Sequence, residues 1–199
     1  MRKSNNISGL VMTRRGMLAG GGALASLAAF ASFAPLPAAA QETPVAGGVL
    51  KVAFSADPAG FDPALGPSGM SHVVIEQVYS TLMSVDTDAV PYPDLAESFE
   101  ASADGLTYTF KLRDGVKFHN GDPLTAEDVK FTFDRLRAED SGYSYKSQIE
   151  TIASVDVVDP LTVKFTLSVA TGPFLTYMAF PGSSIVPKKL VEGGHDLNL

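Results

Sequence analysis

Apolar and polar positions alternate most regularly over residues 106–113. Leu106, Tyr108, Phe110 and Leu112 interleave there with Thr107, Thr109, Lys111 and Arg113. A period of two puts each set on its own face, so the pattern predicts a half-buried strand. Asp104-Gly105 precedes it, a dipeptide suited to a tight hairpin turn, and Phe99 with Ala101 supplies a shorter partner strand. Val116 and Phe118 begin another short strand before the turn Asn120-Gly121-Asp122-Pro123. The period then changes. Thr125 stands three residues ahead of Asp128 as in a capping box, and Ala126, Val129, Phe133 and Leu136 share one face of the helix that follows. A second hairpin is predicted from residues 152–158 and 161–167 across Asp159-Pro160, with Leu161, Val163, Phe165 and Leu167 alternating with Thr162, Lys164 and Thr166.

The flanking stretches are simpler. Residues 49–54 (VLKVAF) predict a strand buried on at least one face, followed by a Pro- and Gly-rich loop over 55–64. A helix is predicted from about Ser71 to Ser84, because Val74, Val78 and Leu82 form one stripe with Ile75 and Tyr79 beside it. Residues 86–93 read as a turn-rich connection and 173–180 as one short helix.

Composition narrows the classes. The 199 residues carry a net charge of −7 and contain no Cys and no Trp. All 22 acidic residues follow residue 40, whereas Arg2, Lys3, Arg14 and Arg15 of the 15 basic ones precede it. That acidic balance argues against nucleic acid or an anionic membrane as partner. Without Cys there is no disulfide, thiolate metal site, Cys nucleophile or lipid-modified Cys. The length after residue 40 suits one domain with a sizeable core.

Residues 1–40 predict an export signal. A basic start leads to Thr13-Arg14-Arg15-Gly16-Met17-Leu18, similar to the twin-arginine motif with Arg14 and Arg15 as its pair, then to an Ala/Gly-rich apolar run. Ala38-x-Ala40 gives small residues for cleavage after Ala40. Pro35, Pro37 and weak hydrophobicity argue against a membrane anchor, so no stable membrane insertion is expected after cleavage. General secretory export is the alternative route.

The run LAESFE-x3-DGLTYTFKLRDGVKFHNGDPLTAEDVKFTFDR, over residues 95–135, closely resembles the signature region of bacterial extracellular solute-binding proteins of the peptide/nickel type, family 5. Weaker similarity extends from Gly47 to the C-terminus. The resemblance implies a mixed α/β (α+β) fold of the periplasmic binding protein type II, here incomplete. Residues 1–40 are then the signal, 41–83 the start of lobe one, and 84–199 its accessory domain, cut short before the second lobe. It implies a periplasmic binding component of an ABC importer, expected as a monomer. Such a component captures a peptide-like small solute and delivers it to an inner-membrane permease driven by a cytoplasmic ATPase. The resemblance implies no cofactor, no metal and no enzymatic step. An exported hydrolase or cofactor enzyme, or an inactive fragment of the binding protein, are the rival readings.

Candidate ligand contacts follow from the same resemblance. Ser68 and Gly69 match a ligand-side turn at a helix start, where backbone N–H groups suit a carboxylate; an ordinary N-cap by Ser68 is the alternative. Gly60 and Phe61 line the first ligand-side loop, with Phe61 also expected in the core. Tyr143 and Tyr145 fall near a pocket aromatic, or else pack as loop tyrosines. His72 and Glu76, one turn apart, lack a third metal ligand nearby in sequence and read as a solvated pair. His119 and Asp122 occupy a hairpin turn without a nucleophile, and are not assigned to catalysis. The resemblance implies Trp at the positions of Phe99 and Phe118, which this chain lacks.

Overall fold

The computed structural model describes residues 47–66 and 68–198. The export signal, with Arg14, Arg15 and the cleavage position after Ala40, lies outside the described residues. The chain divides into two units, Met1–Leu50 and Lys51–Leu199. Of the first, residues 47–50 are exposed and in neither helix nor strand. The second unit carries the fold.

Its centre is a four-stranded antiparallel sheet in the order β3-β4-β6-β5. These strands are β3 (Ala96–Ala101), β4 (Thr107–Leu112), β5 (Ile152–Asp159) and β6 (Thr162–Leu167). The period-two pattern sets the register: Tyr108 pairs with Phe165 and Phe110 with Val163 on one face, while Thr107 pairs with Thr166 and Thr109 with Lys164 on the other. The turn between β3 and β4 works through Asp104, whose carboxylate accepts the Leu106 N–H at 3.0 Å and the Ser102 hydroxyl at 2.5 Å. Gly105 follows with φ +69°, a backbone that a Cβ would strain. At the second hairpin Asp159 Oδ1 accepts the Leu161 N–H at 2.8 Å.

Helix α2 (Ala126–Arg137) covers the apolar face of the sheet. Val129, Phe133 and Leu136 point inward and are fully buried. Phe165 is the hub of the core. Phe110, Phe133 and Phe174 surround it at centroid distances of 5.5, 4.9 and 5.8 Å, in edge-to-face arrangements. Burying one such ring stabilises the fold by about 2–3 kcal/mol.

The capping box is formed as the spacing predicts. The Asp128 carboxylate accepts the Thr125 N–H at 3.0 Å and its hydroxyl at 2.8 Å. Its other oxygen accepts the Lys188 N–H at 3.0 Å, which fixes the start of α5 (Lys188–Glu192). Thr132 donates to the Asp128 carbonyl and accepts the Val186 N–H at 3.1 Å, so the segment before α5 is pinned to α2 as well.

Several sequence expectations are corrected. Residues 49–54 are not a strand: they are exposed, with Val49 and Leu50 each 87 % accessible, and no strand is paired with them among the described residues. Apolar alternation needs a neighbouring strand to become a sheet. The helix predicted over 71–84 is shorter and begins earlier, as α1 (Gly69–Val78). It ends where Tyr79 turns extended and donates to the Ile75 carbonyl. The chain then buries Leu82 and, as the first residue of β1 (Met83–Val85), Met83; β1 pairs with β2 (Pro91–Pro93) inside the stretch read as a connection. Val116 and Phe118 form no strand beyond a single bridge between Lys117 and Pro123. Residues 185–187 are in neither helix nor strand. Short α3 (Lys146–Ile149) and α4 (Phe174–Tyr177) and a 3₁₀ turn (Pro181–Ser183) complete the unit. Among the described residues no helix is long and apolar enough to cross a membrane.

Candidate functional site

Three segments distant in sequence meet at the start of α1: the first loop over residues 55–66, the loop over 141–145, and residues 180–184. Ser68 is the N-cap, its Oγ accepting the Ser71 N–H at 3.1 Å and donating to Ser71 Oγ at 3.0 Å. Ser71 Oγ in turn accepts the Ala59 N–H at 3.0 Å, tying the first loop to the helix. The capping reading of Ser68 is therefore realised. A Cβ added at Gly69 would meet nothing within 4 Å, so open space lies in front of the helix start.

Tyr143 is 3 % exposed, whereas Tyr145 is half-buried. The two rings lie edge-on at 5.9 Å, and Tyr145 reaches Phe180 at 4.6 Å. His72, one turn into α1, sits between Tyr145 at 5.7 Å and Phe180 at 5.2 Å. The expectation that His72 is a solvated partner of Glu76 is thus corrected: its Nε2 is buried among aromatic rings with no hydrogen-bond partner. Among the described residues no group of three or more His, Cys, Asp or Glu is gathered as metal ligands.

The niche depends on Gly182. A Cβ there would stand 2.9 Å from Tyr143 Cε2 and 3.1 Å from Phe180 Cε1. Burial pushes the Tyr143 phenol up to about 12; the Ser183 hydroxyl works against this, and Tyr145 adds a smaller rise. Tyr143 and Ser183 nonetheless make no hydrogen bond of good geometry, and both hydroxyls are buried without a partner. Sequence reasoning missed His72, Phe180, Gly182 and Ser183 as members of this niche. An aromatic and a glycine far along the chain carry no local signal of meeting α1.

Gly60 and Phe61 lie on the first loop. Phe61 is 41 % exposed, which corrects its placement in the core. It lines a shallow groove with Val74, Ile75, Val78 and Tyr79. Behind this loop the Asp62 carboxylate is buried and takes a two-pronged ion pair from Arg135, with Nη1 to Oδ1 at 3.0 Å. Tyr79 lies nearby, its phenol pushed up by burial and then by the Asp62 charge, with Arg135 opposing. A separate apolar cavity of about 230 Å³ opens between Val78, Tyr79, Phe118, Leu124, Leu190 and Leu197. His119 is exposed at the rim of that cavity, in the turn closed by the Gly121 N–H to the Phe118 carbonyl.

The antiparallel sheet backed by α2, with α1 and the first loop at its flank, defines a mixed α/β unit of the periplasmic binding protein class. The substrate-binding domain of an oligopeptide ABC transporter from Bacillus anthracis superposes with a TM-score of 0.65 at 29 % identity, over 69 % of this chain and 29 % of that one. The family model for bacterial extracellular solute-binding proteins, family 5 Middle, matches residues 90–197. The chain belongs to this family. It is 34 % identical over 175 residues to the glutathione-binding protein GsiB of Salmonella paratyphi A, covering 87 % of this chain and 33 % of that protein. It is 38 % identical over 156 residues to di/tripeptide-binding protein 2 of Pseudomonas aeruginosa, covering 69 % and 29 %. The chain thus spans about a third of the length of these relatives. Family and neighbours are binding proteins rather than enzymes.

Proposed function

We propose that this chain contributes to the solute-binding component of an ABC importer. The component captures a small peptide-like solute outside the inner membrane and delivers it, unaltered, to the permease and its ATPase. The observation that carries this reading is the family membership together with the solutes named for the relatives, glutathione and di- or tripeptides. The convergence of the first loop, the α1 start and the 143–145 loop adds to it. In this reading Gly60 and Phe61, Ser68 and Gly69, and Tyr145 face the solute, while the buried Tyr143 backs the Tyr145 ring from inside. Backbone N–H groups at the α1 start would favour a carboxylate, and Tyr145 offers a half-exposed ring for an apolar side chain. A second lobe would close on the solute from the opposite side, as periplasmic binding proteins do. The reading places the protein in the periplasm as a monomer, exported through Arg14 and Arg15 and cleaved after Ala40.

The test is a chimera in which this chain replaces the matching third of the glutathione-binding relative. Its thermal unfolding is followed with glutathione, dipeptides and tripeptides. A ligand at a hundred times its dissociation constant adds about 2.7 kcal/mol of stability. A folded chimera that none of these solutes stabilises would count against the reading.

A further inference from the structure

The first loop is held from an unexpected direction. Asn198 Oδ1 accepts the N–H groups of both Phe61, at 2.9 Å, and Asp62, at 3.0 Å, across 137 and 136 residues of chain. One carbonyl oxygen with two lone pairs thus serves two successive amides. The backbone that carries Asn198 is itself held: its main-chain N–H donates to Asp196 Oδ1 at 2.8 Å, and the His195 N–H donates to the Leu190 carbonyl within α5. Gly60 makes room for it, since a Cβ at that position would stand 2.7 Å from Asn198 Oδ1.

Apolar packing alone does not fix this part of the loop, because Phe61 is only partly covered. Hydrogen bonds do. Ala59 is held by Ser71, Phe61 and Asp62 by Asn198, and Ala64 by the Asp62 carboxylate. That carboxylate is anchored in turn by Arg135. Among these anchors Asn198 is the most exposed, and it acts on the residues nearest the proposed solute side.

We propose that Asn198 is a positioning residue, a latch that sets the conformation of residues 60–62 through their amides. Its value for solute capture rests on the reading of this loop as solute-facing. The latch itself does not.

Amide hydrogen exchange on the whole chain, resolved by NMR, tests it. Asn198→Leu removes the acceptor and is expected to speed exchange at Phe61 and Asp62 by about five- to tenfold, leaving Val129 and Phe165 unchanged. Gly60→Ala, which pushes the oxygen away while Asn198 remains, is expected to do the same. Asn198→Asp keeps an acceptor oxygen and is expected to retain most of the protection. Unchanged exchange at Phe61 and Asp62 in Asn198→Leu would overturn the proposal. So would exchange in Asn198→Asp as fast as in Asn198→Leu, or equal acceleration in the sheet. If the exchange pattern holds but glutathione, dipeptides and tripeptides all fail to stabilise the folded chimera, the latch stands and the solute-facing reading of the loop fails.

Discussion

Asp62 and Arg135 join the first loop to the last turn of α2 through two parallel contacts, with the Asp62 side chain 5 % exposed and that of Arg135 25 %. The pair joins residues 73 positions apart and carries a carboxylate into a site that would otherwise reject it. Arg135→Met leaves that charge buried and unpaired. The expected loss is about 3 kcal/mol, at the lower end for broken buried pairs because water reaches the guanidinium. Urea unfolding measures it, and Asp62→Asn with Arg135→Met should recover part of the loss.

Asp128 serves two elements at once, capping α2 and holding the Lys188 amide. Asp128→Ala is expected to cost about 1–3 kcal/mol, combining a lost cap with a lost charge-assisted hydrogen bond. The distinguishing signature is local: exchange at Lys188 should accelerate more than exchange in β4 or β6.

Tyr143 predicts an alkaline effect. Its phenol titrates near 12 in the fold, against 10.0 without burial. A raised pKa means that the folded state binds the proton more tightly, so its contribution is complete below pH 10 and is lost as pH rises through about 12. Tyr143→Phe should flatten this part of the stability profile. It should cost little at pH 7, since the hydroxyl is buried without a partner. Stability curves of the two proteins between pH 8 and pH 12 check the sign.

The turn carboxylates shift the other way. The Ser102 hydroxyl, then the Leu106 N–H, hold Asp104 below 3.8, and the Leu161 N–H, then Thr162, do the same for Asp159. Depressed carboxylates stabilise the turns above the unfolded value, and that support is lost as pH falls through the folded one. Carboxyl NMR titration should place both midpoints below 3.8, and Ser102→Ala should raise that of Asp104.

What could be read in the sequence was whatever depends on near neighbours. Period two in residues 106–113 and 161–167 announces β4 and β6, Asp104-Gly105 announces the turn, and Thr125 with Asp128 announces the start of α2. Residues 49–54 carry the same kind of pattern without becoming a strand, because pairing needs a second strand that local pattern cannot supply. The apolar stripe predicts a helix as far as Ser84 because Leu82 continues it, yet Leu82 is buried beyond the end of α1. The contacts of His72 with Tyr145 and Phe180, the Asp62–Arg135 pair and the Asn198 contacts join residues 73 or more apart. No window along the chain contains both members.

Titration calorimetry of the chimera with glutathione and tripeptides, followed by mass spectrometry of the recovered solute, bears most directly on the central claim. The account predicts saturable binding with every solute molecule returned chemically intact. Cleavage or any other conversion of the solute by the purified chimera, absent from the unmodified relative, would contradict it.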